Sequence, residues 1–167
     1  YMKVMNTITH SNFPKLLFDS LQQHQQNNAF CIQDTYFTYQ ELANKVAAIR
    51  QPLQHINDLY IGLVTNDDLA TYAAILAIWM EGKCYVPLHP LQPIARCANI
   101  IEQVGIKVVL DSSETTRYVN QYVINTGDAL PSASNLHTLA EFNCHTPAYI
   151  LFTSGSTGMP KGVPVTY

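Results

Sequence analysis

Apolar residues recur along this chain at two alternating periods. Leu42, Val46, Ile49 and Leu53 fall three or four residues apart, the spacing of one helix face. Just ahead, Thr38 and Glu41 have capping-box spacing, in which hydroxyl and carboxylate each satisfy a backbone N–H that the first helical turn leaves unpaired. Residues 59–64 are apolar almost throughout, as an inner strand covered on both faces must be. Within residues 69–80, Ala70, Ala73, Ala74 and Ala77 form a small-residue stripe, with Leu69, Tyr72, Leu76, Trp79 and Met80 around it. A helix apolar on several sides with one smooth face is expected to press on a sheet and lie beneath another layer. Residues 83–86 read as a strand stopped by Pro87 and Pro90.

The alternation extends in both directions. Pro93 opens a helix with Ile94, Cys97 or Ala98, Ile101 and Val104 inward; Gly105 ends it, and residues 106–110 form the next strand. Toward the N-terminus, Ser11 or Asn12 caps a helix over residues 13–26 whose apolar face is Phe13, Leu16, Leu17 and Leu21. Its polar end, residues 22–28, is expected in solvent. A strand at 29–32 turns at Asp34-Thr35 into Tyr36-Phe37. Beyond Asp111 the pattern weakens to a short helix over 114–120, a strand over 122–125 and polar loop, before a last strand at 148–152. This βαβαβ rhythm predicts an α/β fold: a doubly wound, largely parallel sheet with helices on both faces and right-handed crossovers.

Composition narrows the function. At 167 residues the chain is the size of one domain, and 47% hydrophobic residues supply a core. Charged residues are only 13% and the net charge is −3, against the basic stripe of a nucleic-acid binder. The apolar run at 69–80 is well short of the roughly 20 residues a membrane span needs. Residues 2–7 lack the basic and apolar regions of a secretory leader. The expected setting is cytoplasmic, without nucleic acid or membrane. Four cysteines with no C-x-x-C pair fit neither a zinc site nor a disulfide framework, so buried reduced thiols are expected.

Chemistry concentrates after the last strand. Thr153-Ser154-Gly155-Ser156-Thr157-Gly158-Met159-Pro160-Lys161-Gly162 holds three glycines, four hydroxyl side chains and one lysine, with no acid. Glycines let backbone N–H groups approach a ligand closely, hydroxyls add donors, and Lys161 adds a point charge. A polyphosphate is the natural occupant. The spacing is neither the P-loop G-x-x-x-x-G-K-[ST] nor the dinucleotide G-x-G-x-x-G. Pro160, Gly162 and Pro164 prevent a helix from following at once, so the loop is expected to join two strands.

Residues 149–163 resemble the signature phosphate loop of the adenylate-forming (AMP-binding) superfamily, which includes acyl-CoA synthetases, luciferases and the adenylation domains of peptide synthetases. Phe37-Thr38-Tyr39-Gln40-Glu41-Leu42 is similar to the family's Leu-Thr-Tyr-x-Glu-Leu helix opening, and Gly82-Lys83-Cys84-Tyr85-Val86-Pro87-Leu88-His89-Pro90 to its Gly-x-x-Tyr-Val-Pro-Leu-Asp-Pro segment. Both are most typical of amino-acid adenylation domains and D-alanine:carrier-protein ligases. His89 stands where the family usually has Asp, and Met80-Glu81 replaces Lys-Ala; His89 is read as a turn residue.

The resemblance implies activation of a carboxylate, an amino acid in this branch, by ATP, and transfer of the acyl group to a phosphopantetheinyl carrier protein or coenzyme A. It implies that Thr153, Ser154, Ser156 and Thr157 hydrogen-bond the phosphates, that Gly155 and Gly158 admit them, and that Lys161 neutralises departing pyrophosphate. Family enzymes are much longer. The chain is therefore expected to be the N-terminal part of an adenylation domain, residues 1–167 with the phosphate loop at 153–162, inactive when isolated. The Mg2+ ligand, ribose-binding aspartate and catalytic lysine are expected downstream. Alternatives are an acyl- or aryl-CoA synthetase fragment, or a non-catalytic phosphate-binding module.

Overall fold

A computed structural model of the chain describes residues 13–127, 140, 145–154 and 160–167. The expected N-caps Ser11 and Asn12 lie outside these residues. Helix α1 (Phe13–Gln23) is followed by a separate antiparallel hairpin, β1 (Asn28–Ile32) and β2 (Thr35–Thr38). Its turn sits at Gln33-Asp34, both with positive φ, the two-residue geometry that matches strand twist; this is one residue earlier than the sequence suggested. The remaining strands build one six-stranded sheet in the order β6-β5-β3-β4-β7-β8. These are β3 (Tyr60–Val64), β4 (Cys84–Leu88), β5 (Val108–Asp111), β6 (Tyr122–Asn125), β7 (Pro147–Ser154) and β8 (Pro160–Thr166). All neighbouring pairs are parallel except β7 and β8.

Because β3 is followed by β4 on one side and β5 lies on the other, the helices between them cover opposite faces. On one face sit α1, α2 (Tyr39–Leu53) and α3 (Leu69–Met80), burying Val46, Ile49, Leu53, Ala73, Ala77 and Ile78 against Ile61, Leu63 and Leu110. The alanine stripe of α3 is buried as expected, and α2 packs on the same helix. On the other face, α4 (Ile94–Val104) buries Cys97, Ile100 and Ile101 against Val64, Val86, Leu88 and Val109. Gly62 belongs to this layer: an added Cβ would stand 3.0 to 3.2 Å from Val109, Leu88 and Ile106 side chains.

Local signals hold where side chain and backbone bond within one turn. The capping box of α2 is formed, with Thr38 Oγ1 accepting from the Glu41 N–H and Glu41 Oε2 accepting from the Thr38 N–H. Those bonds hold the exposed Glu41 carboxyl below the usual carboxylate range. Asp68 caps α3 by accepting from the Thr71 N–H at 2.7 Å, and Gly105 ends α4 in the left-handed conformation.

Several expectations are corrected. In α1 the inward face is Pro14, Leu17, Phe18 and Leu21, whereas Phe13 and Leu16 are exposed; the stripe is rotated from the one read in sequence. In α4, likewise, Ile100 is buried, and Ile94 and Ala98 are exposed. Residues 114–120 form no helix. Asp111 accepts from the Ser113 N–H, and Thr116 Oγ1 from the Tyr118 N–H, so side chains take the donors that a helix would use. Cys84 and Cys97 are buried thiols, but Cys31 is exposed on the outer side of β1; Cys144 lies outside the described residues.

Pro87 does not stop β4, whose pairing with β3 runs from Tyr60↔Cys84 to Val64↔Leu88. The Cys84 N–H donates to Leu59 and the Leu88 carbonyl accepts from Thr65, so residues 84, 86 and 88 face β3. Tyr85 and Pro87 therefore face β7. Proline has no N–H to give, and among the described residues β4 pairs with β7 at Tyr85↔Tyr149 alone.

Candidate functional site

The β7–β8 hairpin is anchored at its base. Trp79 Nε1 donates to the Ala148 carbonyl at 3.0 Å, and the Tyr167 hydroxyl donates to the Lys83 carbonyl at 2.9 Å. Tyr85 stacks on Tyr149, with ring centroids 5.5 Å apart, and Trp79 lies between Phe13 and Tyr85. Burial raises the Tyr85 and Tyr167 hydroxyls and pushes the Cys84 thiol up to about 12, while it lowers the Lys83 ammonium, whose Nζ donates to the Ile56 and Asp58 carbonyls. These groups are structural: all are neutral donors or are engaged with backbone.

Beyond the base, side chains alternate between the two faces. Ile150 and Phe152 pack on the α4 face of the sheet. Leu151 and Thr153 share the opposite face with Val163 and Lys161, their cross-strand partners. Thr153, Ser154 and Lys161 are all exposed. The tip projects from the edge at which the parallel strands end, where open α/β sheets bind ligands.

Of the residues singled out in sequence, the hairpin register brings Thr153 and Lys161 directly opposite each other and turns Ser154 to the other face, across from Pro160. Gly155, Ser156, Thr157 and Gly158 lie outside the described residues. The expectation that the loop joins two strands holds. His89 is a turn residue: its Nδ1 accepts from the Leu91 N–H, and its carbonyl accepts from Arg117.

The donor set fits an anion. One lysine and a hydroxyl stand exposed on one face, and residues 153–162 contain no carboxylate to repel phosphate. No group of three His, Cys, Asp or Glu among the described residues could hold a metal ion. The described helices include none long and apolar enough to cross a membrane.

Sequence reasoning missed a polar network at the same sheet edge. Asn66 Nδ2 donates to Ser112 Oγ at 2.7 Å and to Ser113 Oγ at 3.1 Å; Ser112 Oγ donates to Asp68 Oδ2 at 2.6 Å. Buried Asp111 joins it through Asn66. This ties the ends of β3 and β5 together beside the cap of α3. The only signal was a run of short polar residues after two apolar strands, which is also what a solvated loop looks like.

A profile of the family described as AMP-binding enzyme matches residues 17–167. The ferrichrome siderophore peptide synthetase of Mycosarcoma maydis is 36% identical over 132 residues, 77% of this chain and 3% of that protein. N-(5-amino-5-carboxypentanoyl)-L-cysteinyl-D-valine synthase of Penicillium rubens is 36% identical over 146 residues, 79% of this chain and 4% of that protein. The chain thus spans a few per cent of the length of these relatives. Among solved structures, the nonribosomal peptide synthetase FmoA3 in its AMPPNP-bound form aligns with a TM-score of 0.79 at 24% identity, covering 92% of this chain and 17% of that one. PA1221, a protein containing adenylation and PCP domains, aligns with a TM-score of 0.76 at 25% identity, covering 92% and 27%. The Klebsiella oxytoca NpsA N-terminal subdomain gives 0.71 at 22% identity, covering 92% and 40%. The fold is that of the N-terminal subdomain of adenylation domains. With the match running from α1 through the whole β7–β8 hairpin, the chain belongs to the AMP-binding enzyme family.

Proposed function

We propose that this chain is the phosphate-holding first part of an ATP-dependent ligase that activates an amino acid. The observation that carries the reading is the hairpin tip: Lys161 and Thr153 paired on one face, at the ligand-binding edge of the sheet, flanking a glycine- and hydroxyl-rich loop. A carboxylate oxygen attacks the α-phosphorus of ATP, the bond to the bridging oxygen breaks, and pyrophosphate leaves with that electron pair. A thiol then attacks the acyl carbon and AMP departs. In such a reaction the protein mainly positions groups and stabilises charge. Lys161 meets the negative charge that builds on the leaving pyrophosphate, Thr153 orients it, and Gly155 and Gly158 let backbone N–H groups close around it, with Ser154, Ser156 and Thr157 as further donors.

ATP is the nucleotide, and Mg2+ is held by residues outside this chain. The peptide-synthetase relatives, and the PCP domain beside the adenylation domain of PA1221, favour a phosphopantetheinyl carrier over coenzyme A as the thiol. The test is carboxylate-dependent ATP–pyrophosphate exchange with a panel of amino and aryl acids. The adenylation polypeptide that contains residues 1–167 should exchange with an amino acid, and the 167-residue chain alone should not. Exchange by the chain alone, or only with aryl or fatty acids, contradicts the reading.

A further inference from the structure

Gly162 is an unlikely-looking strand residue with a specific reason to be there. It sits in the interior of β8, directly across from Phe152, where glycine weakens a strand by packing nothing. Its backbone lies outside the left-handed region, so conformational freedom does not explain it. Space does: a Cβ at this position would stand 3.0 Å from Phe152 Cζ, 3.3 Å from Phe152 Cε1 and 3.1 Å from Ile150 Cγ2. The Phe152 ring fills the volume that a side chain would take, an aromatic covering a cross-strand glycine.

We propose that Phe152 and Gly162 are a positioning pair for the phosphate site, fixing the register that places Lys161 opposite Thr153. This deepens the phosphate-holding reading and rests on it. Three observations support it. First, beyond its base the hairpin is held from the α4 face, by Ile150 and Phe152, while β8 is the edge strand and β7 pairs with β4 at Tyr85↔Tyr149, before Pro87. Second, Gly162 is the one glycine in β8; a slip of one residue would set the ring against Lys161 or Val163, and a slip of two against Pro160 or Pro164. Third, the cost of a slip falls on function, because shifting a strand by one residue sends each side chain to the other face. Lys161 would then leave the face of Thr153.

The test uses the adenylation polypeptide that contains residues 1–167, in four forms: wild type, Gly162→Val, Phe152→Ala/Gly162→Val and Lys161→Ala. Valine suits an edge strand on its own, so it should disturb the hairpin only while the Phe152 ring is present. Two readouts are taken: cross-strand nuclear Overhauser contacts between the backbones of residues 153 and 161, and MgATP affinity by titration. Gly162→Val should lose the contacts and weaken MgATP by about tenfold or more, the scale of one misplaced charged contact. The double variant should regain the contacts and bind within about threefold of wild type. Lys161→Ala should keep the contacts and still bind weakly.

Contacts and affinity unchanged in Gly162→Val, or a double variant no better than the single one, would overturn the proposal. Wild type failing to bind MgATP would count against the phosphate-holding reading itself. The Overhauser contacts then decide the register claim independently: loss in Gly162→Val with recovery in the double variant supports it, and any other pattern overturns it. Helical circular dichroism unchanged across the set confirms that the variants fold, and Gly162→Ala, which asks the ring to move only slightly, gives an intermediate loss.

Discussion

The centre of the sheet and the β7–β8 hairpin are made of similar residues yet held in different ways. Strand β3 pairs with β4 at all five residues and with β5 from Ile61 to Leu63, and helices cover this part of the sheet on both faces. The hairpin is clamped by aromatic rings at its base, rests Ile150 and Phe152 on the α4 layer, and leaves Leu151, Val163 and its polar tip exposed. A single imino acid helps draw the line, since Pro87 withholds the next donor that β4 would offer to β7. On the proposed function the difference assigns roles: the centre supplies stability, and the tip supplies the phosphate-holding groups.

Changes in the centre should therefore unfold the protein, and changes in the tip should not. The largest expected effect comes from the ion pair that locks α2 to the end of α3. Arg50 Nε donates to Glu81 Oε1 at 2.7 Å, with side-chain exposures of 2% and 8%. Removing one partner of a buried pair typically costs about 3–5 kcal/mol, so Glu81→Ala should lower the denaturant midpoint sharply. Arg50→Met/Glu81→Leu should recover most of the loss, and equal losses in both variants would show that the pair itself is not the cause.

A smaller effect is expected from alkali. The Cys84 thiol has an ordinary value of 9.0 and is pushed up to about 12 in the folded chain. Above 9.0 the unfolded chain ionises first, so the stability from this group is full below 9.0 and falls progressively as the pH rises toward 12. Thermal midpoints measured between pH 8 and 10 should decline less steeply for Cys84→Ala than for wild type. Parallel curves would mean that burial of this thiol contributes nothing to the alkaline loss.

The smallest effect sharpens the boundary itself. Pro87→Ala restores an N–H facing β7 while giving the unfolded chain more freedom, a change of about 1 kcal/mol or less in net stability. The new amide at residue 87 should exchange slowly with solvent deuterium. Rapid exchange would show that something other than the missing donor limits the β4–β7 ladder.

Much of the fold was legible because its signals are local. The capping box at Thr38 and Glu41, the alanine stripe of α3 and the apolar run at 59–64 each state their structure within a few residues. The failures needed partners distant in sequence. The α4 face was misread because Ile100, not Ile94, meets the sheet. Pro87 reads as a strand terminator unless one knows which neighbour its missing N–H would have faced. At the candidate site, residue types alone pointed to phosphate. That Thr153 and Lys161 share a face while Ser154 does not follows only from the pairing with β8, as does the reason for Gly162.

The most direct test of this division of roles is Lys161→Ala in the adenylation polypeptide that contains this chain, read by ATP–pyrophosphate exchange and by thermal unfolding together. The exchange rate should fall by about a hundredfold or more, the usual cost of losing one preorganised charge-stabilising group. The melting temperature should stay where it was, because Lys161 is exposed at the hairpin tip. Exchange at the wild-type rate, or loss of exchange explained by loss of the fold, would contradict the account.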